Sequence, residues 1–253
     1  MFKKIVAITL LINMSLVAQA NDIKEYKFIM QEYEPFNWTD GDTLKGGMLE
    51  VAKRVCLNMK ITCRFESLPM KRVISMLEDG STTAVLSLVE NADRASFTTL
   101  SIPVVGSNMS YFGIIGTFKK VNSLNDLAGA TVGTVSSSSA EKTVLAHQAK
   151  IGKLEVIGET GIPIVLSKLI AGRYGDKGLA FSNQDVFLNS LEKLKVKNVE
   201  IVFTTQTDQF RIAFSKKATN PEFIEKFNTE ILKLRKSGEL KKILKPFKLK
   251  PAA

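Results

Sequence analysis

The run Cys56–Arg94, CLNMKITCRFESLPMKRVISMLEDGSTTAVLSLVENADR, decides the fold. Met48, Ala52, Val55 and Met59 recur at helical spacing, while Ile61, Cys63 and Phe65 alternate at period two. A helix over Gly46–Met59 therefore feeds a strand over Lys60–Glu66. Pro69 suits the first turn of a second helix, whose Val73, Ile74 and Leu77 face inward and which Gly80 ends. Thr83–Val89 is an apolar strand, followed at once by Asn91, Ala92, Asp93 and Arg94. Such alternation predicts a mostly parallel sheet with helices packed on its faces. An arginine just beyond a buried strand reads as an anion hook, because guanidinium offers a planar fork of donors. A surface arginine, or one paired with Asp93, is the alternative.

The pattern continues on both sides. Tyr26–Gln31 is a strand that Pro35 breaks, and Thr39-Asp40-Gly41-Asp42 is a turn. Beyond Pro103, Met109–Gly116 is extended and a second alternation begins. It comprises a helical turn at Leu124–Leu127, a strand at Ala130–Val135, and a helix from Ser136–Ser139 to about Lys150. Strand Leu154–Ile157, helix Ile162–Ala171, strand Gly178–Ser182, helix Asp185–Leu194 and strand Val199–Thr204 complete it. Gln209–Ser215 is extended again. Asn220-Pro221-Glu222 combines a cap, a first-turn proline and a dipole-favoured acid. The helix it opens turns Phe223, Phe227, Ile231 and Leu234 inward and ends at Gly238, and Glu239–Leu244 is the last helix. Extended crossings near Gly113 and Arg211 read as hinges between two lobes.

Residues 1–20 set the compartment. Lys3 and Lys4, the apolar Ile5–Val17 and the small residues of Ala18-Gln19-Ala20 have the form of a cleaved secretory leader. The apolar core is shorter than the roughly 20 residues of a membrane-spanning helix. About 233 residues remain, and at 45% hydrophobic and 24% charged the composition is that of a globular protein. Loss of Lys3 and Lys4 lowers the formal charge from +10 to +8. That balance suits an anionic ligand or a membrane surface. Eight Lys or Arg lie between Lys233 and Lys250, read as a solvated helix face. Aromatic interleaving typical of nucleic-acid binders is missing, so no nucleic-acid partner is expected.

Cys56 and Cys63 are the sole cysteines, and in an exported chain a disulfide is expected, two free buried thiols being the alternative. The single histidine, His147, reads as surface or packing, so neither a metal site nor a cofactor is expected. No Gly-x-Ser-x-Gly elbow or phosphate loop points to catalysis, although Glu32, Glu34 and Asp185 remain available as cleft acids.

Several short motifs then fall in a telling order. Tyr33-Glu34-Pro35-Phe36 is followed by the cysteine pair, by Asp93-Arg94 with Leu100-Ser101-Ile102-Pro103, and by Leu124-Asn125-Asp126-Leu127-Ala128-Gly129 with Val132-Gly133. Ala171-Gly172-Arg173, then Phe227-Asn228 with Gly238, complete the series. In this order the chain resembles the periplasmic solute-binding proteins of the polar-amino-acid class, the group of lysine/arginine/ornithine-, histidine- and glutamine-binding proteins.

The resemblance implies a two-lobed α/β fold of the periplasmic-binding-protein-like type II. Two mostly parallel sheets would be joined by two hinge crossings, with residues 21–112 plus 210–253 as one lobe and 113–209 as the other. It implies a monomer that closes on a small carboxylate-bearing solute, an amino acid first, and presents it to an ABC permease of the inner membrane. By residue, Arg94 would clamp the carboxylate, with Ser138 and Ser139 holding it from the opposite lobe and Ser87 and Tyr33 lining the cleft. Helix capping by the two serines and core packing by Tyr33 are the alternatives. Met70 stands where relatives stack an aromatic ring. Asn183 stands where they place an ammonium-binding aspartate, with Asp185 two residues on, so a carboxylate without an ammonium fits as well. A receptor-coupled sensing module, and a small dehydratase-like enzyme on the same fold, remain the rival readings.

Overall fold

The computed structural model describes residues 25–136 and 138–252. The expected leader at 1–20 lies outside the described residues. The first alternation is observed as β1 (Glu25–Met30), the hairpin strands β2 (Trp38–Asp40) and β3 (Thr43–Lys45), α1 (Gly47–Asn58), β4 (Thr62–Ser67), α2 (Met70–Asp79) and β5 (Ala84–Leu88). After a 3₁₀ turn at Ala92–Arg94 come β6 (Thr98–Leu100) and β7 (Val105–Ile114). The second alternation is β8 (Thr131–Val135), α3 (Ser139–Ile151), β9 (Glu155–Glu159), α4 (Ile162–Ile170), β10 (Gly178–Asn183) and α5 (Gln184–Lys193). The chain returns through β11 (Val199–Ser215), α6 (Pro221–Lys236), α7 (Glu239–Leu244) and β12 (Lys250–Pro251).

The strand order is β4-β1-β5-β11-β7-β10-β8-β9, with β6 beside β11 and β12 beside β7. β1 pairs parallel with β4 and β5, and β8 pairs parallel with β9 and β10. The centre is antiparallel: β11 runs against β5, β6 and β7, and β7 against β10. Strand and helix were thus legible, but not that one strand would serve both sheets. β11 has 17 residues, about 55 Å at the usual strand rise. Its last residues, Arg211–Ser215, pair with β5 and β6, and Val199–Phe210 pair with β7. Register shifts along β11 mark where so long a strand bends.

Four apolar clusters fix which face each helix covers. Because side chains alternate along a strand, Phe28 and Met30 of β1 face α1, α6 and α7, meeting Val55, Phe227 and Leu240. Ile29 faces α2, meeting Val73 and Leu77. In the second half, Leu179 and Phe181 of β10 meet Val144 of α3, whereas Ala180 meets Leu166 of α4 and Phe187 of α5. Gly80 closes α2 at φ 86, a left-handed conformation that suits glycine.

The expected boundary at Phe112/Gly113 falls inside β7, whose pairing partners are β10, β11 and β12. The apolar run that is visible from Met109 conceals a strand already paired at Val105. The Cys56–Cys63 disulfide is present and ties the last turns of α1 to β4. The short loop it closes restricts the unfolded chain modestly. Replacing both cysteines with serine is expected to lower the unfolding free energy by about 2 kcal/mol, read as a lower denaturant midpoint with a nearly unchanged folded spectrum.

Candidate functional site

Two sets of parallel strands end in the region of the candidate site. β1, β4 and β5 end at Met30, Ser67 and Leu88, and β8, β9 and β10 end at Val135, Glu159 and Asn183. Ligands of α/β sheets bind beyond such carboxyl ends. On the first side, the Glu32 carboxylate accepts from Thr39 N at 2.9 Å, Thr39 Oγ1 at 2.6 Å and Ser67 Oγ at 2.6 Å. Burial pushes the Glu32 pKa up, but the bonds from Ser67 and Thr39 outweigh it and the net shift is downward.

Arg94 sits in the 3₁₀ turn after β5. Asn91 caps that turn, its Oδ1 accepting Asp93 N at 2.8 Å, while Thr98 Oγ1 donates to Arg94 O at 2.8 Å. The Arg94 side chain is half-buried against a cavity of about 330 Å³, shared with Glu90, Asn91, Thr98, Thr99 and Lys216. Lys216 Nζ is tied to Ala95 O at 2.7 Å, whereas the Arg94 guanidinium has no hydrogen bond or ion pair among the described residues. Burial lowers its pKa and the charge of Asp93 raises it. An arginine stays protonated throughout, so this half-buried fork of donors is charged and makes no bond among the described residues. The alternative pairing with Asp93 is not what forms: Asp93 Oδ2 takes Lys142 Nζ at 2.7 Å instead.

That ion pair joins the two halves. Lys142 lies one turn along α3 from Ser138 and Ser139, so it shares their face and brings the start of α3 beside the Arg94 turn. Ser138 caps α3, accepting from Glu141 N at 3.1 Å and donating to Val135 O at 2.6 Å. Ser139 is exposed at the first helical position. Unpaired N–H groups and the dipole favour an anion there.

Each of the other expected contacts packs or hydrogen-bonds within the protein. Ser87 is buried in β5 at φ 60, within a bulge that sets Val85 opposite Ala213 and Leu88 opposite Arg211. Its hydroxyl donates to Asn37 Oδ1, an internal tie. Met70 packs against the α2 core beside Val73 and Leu88. Tyr33 packs on Phe36 and Phe210, with ring centroids 5.2 and 5.8 Å away. Asn183 is buried and committed twice: Oδ1 caps α5 by accepting Val186 N at 3.1 Å, and Nδ2 donates to Ser107 Oγ at 2.9 Å. Ser107 Oγ in turn donates to Asp185 Oδ2 at 2.5 Å.

Sequence reasoning missed Asp208, which lies on β11 opposite Ser107. Burial raises the pKa of both Asp185 and Asp208, and burial followed by the charges of these two acids raises that of the Tyr33 phenol. Polar residues in mid-strand at 204–209 are the signal that marks this crossing. His147 is packing, its Nδ1 2.8 Å from Tyr111 Oη and its pKa lowered by burial and by Lys150. Trp38 packs edge-on against Phe247, ring centroids 6.0 Å apart. No group of three His, Cys, Asp or Glu is placed to hold a metal ion among the described residues. Within the same residues, no helix is long and apolar enough to cross a membrane.

A family model of the bacterial extracellular solute-binding proteins, family 3, matches residues 28–250. No curated protein matches the sequence. Among solved structures, an ancestral arginine-binding protein bound to arginine is 21% identical with a TM-score of 0.73, the match covering 88% of this chain and 97% of that one. A histidine kinase sensor domain with similarity to periplasmic binding proteins is 16% identical at a TM-score of 0.75, covering 90% and 98%. An amino acid ABC transporter substrate-binding protein from Streptococcus pneumoniae, bound to L-arginine, is 17% identical at 0.72, covering 88% and 93%. At these identities the likeness is one of fold.

The raised pKa of Asp208 has a measurable consequence. Its folded value stands above its unfolded one, so ionisation costs stability increasingly as pH rises through the folded value, in full at neutral pH and not at all below both values. Asp208→Asn keeps an acceptor for Gln206 Nε2, now 2.8 Å away. The variant is expected to melt about 1–3 °C above the parent at pH 7 and level with it near pH 3. An equal shift at both pH values would place its effect elsewhere than in this charge.

Proposed function

We propose that this chain, which belongs to the bacterial extracellular solute-binding proteins of family 3, captures a small carboxylate-bearing solute between its two halves. The observation that carries the reading is the half-buried Arg94 guanidinium, its donors unused among the described residues, in a turn that the neighbouring Asp93–Lys142 pair joins to the start of α3; the cavity beside it is lined by the first half. One half comprises residues 25–104 and 211–252, the other 105–210. In this reading the carboxylate takes the Arg94 fork from one side and the α3 start, at Ser138 and Ser139, from the other. Contacts to both halves bind the closed form better than the open one and shift the population towards it.

Amino acids are the first class to test, because two of the structural neighbours are bound to arginine. The role is capture and not catalysis, with the closed form delivered to an ABC permease and the chain working as a monomer in the periplasm once the leader is removed. Coupling to a receptor is the second reading, supported by the likeness to a histidine kinase sensor domain.

A thermal-shift screen of amino acids, dicarboxylates and other small anions tests this function. A true ligand at about a hundred times its Kd adds about 2.7 kcal/mol, a rise of roughly 5–10 °C for a chain of this size. A screen in which no carboxylate raises the Tm would remove the reading, and slow turnover of a hit would favour an enzyme. Arg94→Ala is expected to abolish the shift while leaving the apo Tm nearly unchanged. Calorimetry showing undiminished affinity in that variant would take Arg94 out of the site.

A further inference from the structure

Three ion pairs cross from one half to the other among the described residues. Asp93 Oδ2 meets Lys142 Nζ at 2.7 Å, Glu34 Oε2 meets Lys193 Nζ at 2.5 Å, and Glu192 Oε2 meets Lys248 Nζ at 2.6 Å. The first two share a design. Each acid lies in a loop beyond a strand of the first half, and each lysine projects from a helix of the second, α3 or α5. Each acid is also the immediate sequence neighbour of an expected ligand contact, Asp93 of Arg94 and Glu34 of Tyr33.

We infer that Asp93 and Lys142 are positioning residues, which hold the Arg94 turn against the start of α3 before any solute arrives, and that Glu34 and Lys193 do the same on the opposite flank. The inference rests on the carboxylate-capture reading for its consequence on affinity, but not for its effect on the empty protein. Asp93 and Lys142 are both exposed, and exposed pairs are individually weak and screened by salt within about 8–10 Å at physiological ionic strength. Their leverage comes from what they act on. Open and closed forms of a hinged protein differ by little free energy, so a weak contact made in one form alone changes their ratio several-fold. Lys142 then modulates binding without touching the solute.

The test uses charge reversal and its rescue in the ligand-free, full-length mature protein. Lys142→Glu sets two carboxylates face to face, and small-angle scattering at low salt is expected to show a larger radius of gyration at an unchanged Tm. The double variant Asp93→Lys/Lys142→Glu rebuilds the pair with its sign inverted and is expected to restore the parent dimension, as is the conservative Lys142→Arg. Raising salt to about 0.5 M should erase the difference between parent and Lys142→Glu. For a carboxylate that binds the parent, Lys142→Glu weakens affinity about three- to tenfold, and the double variant recovers it. Identical scattering from parent and Lys142→Glu at low salt overturns the proposal, and so does a double variant that stays expanded. If scattering follows the predicted pattern while no carboxylate binds, the positioning role stands and the capture reading fails. If carboxylates bind and scattering is unmoved, the reverse holds.

Discussion

One strand pairs with both sheets, and the relation between the halves depends on that pairing. β11 gives its first residues to β7 and its last to β5 and β6. The hydrogen-bond ladder is therefore continuous across the crossing, and apolar packing crosses it too, since Val105, Val186 and Phe210 share a cluster with Phe28. Phe28, Phe227 and Ile231 belong to one cluster, and Tyr111, Val144 and Phe181 to another. A bulged strand with polar middle residues tolerates twist at the joint better than a packed interior tolerates voids.

The polar groups at this joint are arranged for holding shape. Asn183, Ser107 and Asp185 form a chain of hydrogen bonds across β7 and the start of α5. Such a network fixes α5 on its own half. It also leaves Asn183 Oδ1 already accepting from Val186 N and without charge, so the ammonium role implied for that position by resemblance gains no support from its surroundings. The contrast with Arg94 is plain. Asn183 is buried with bonds to Val186 and Ser107, whereas the half-buried Arg94 guanidinium makes none among the described residues.

Most of the architecture was legible because it rests on local signals. The helical spacing of Met48, Ala52 and Val55, Pro69 at the entry to α2, and the Asn220-Pro221 cap each act within a few residues, and α1, α2 and α6 are observed where those signals fell. Where sequence reasoning failed, the cause was distance or brevity. Residues 205–208 read as a break because their polar side chains carry no apolar period. β2, β3 and β12 have two or three residues each, too few for a period to show. The contacts between halves join residues 49 and 159 positions apart, Asp93 with Lys142 and Glu34 with Lys193. Nothing local to a lysine on a helix announces such a partner. Arg94 was visible because an arginine directly after a buried strand is conspicuous, whereas the bond of Asn183 to Ser107 joins residues 76 positions apart.

The central claim is that a carboxylate binds at once to the Arg94 fork and to the start of α3. A crystal structure grown with the solute that most raises the Tm tests it directly. The account predicts a carboxylate within hydrogen-bonding distance of the Arg94 guanidinium and of the backbone at Ser138 or Ser139, with the halves closed around it. A solute seated on one half alone, with the Arg94 guanidinium still unoccupied, would contradict it.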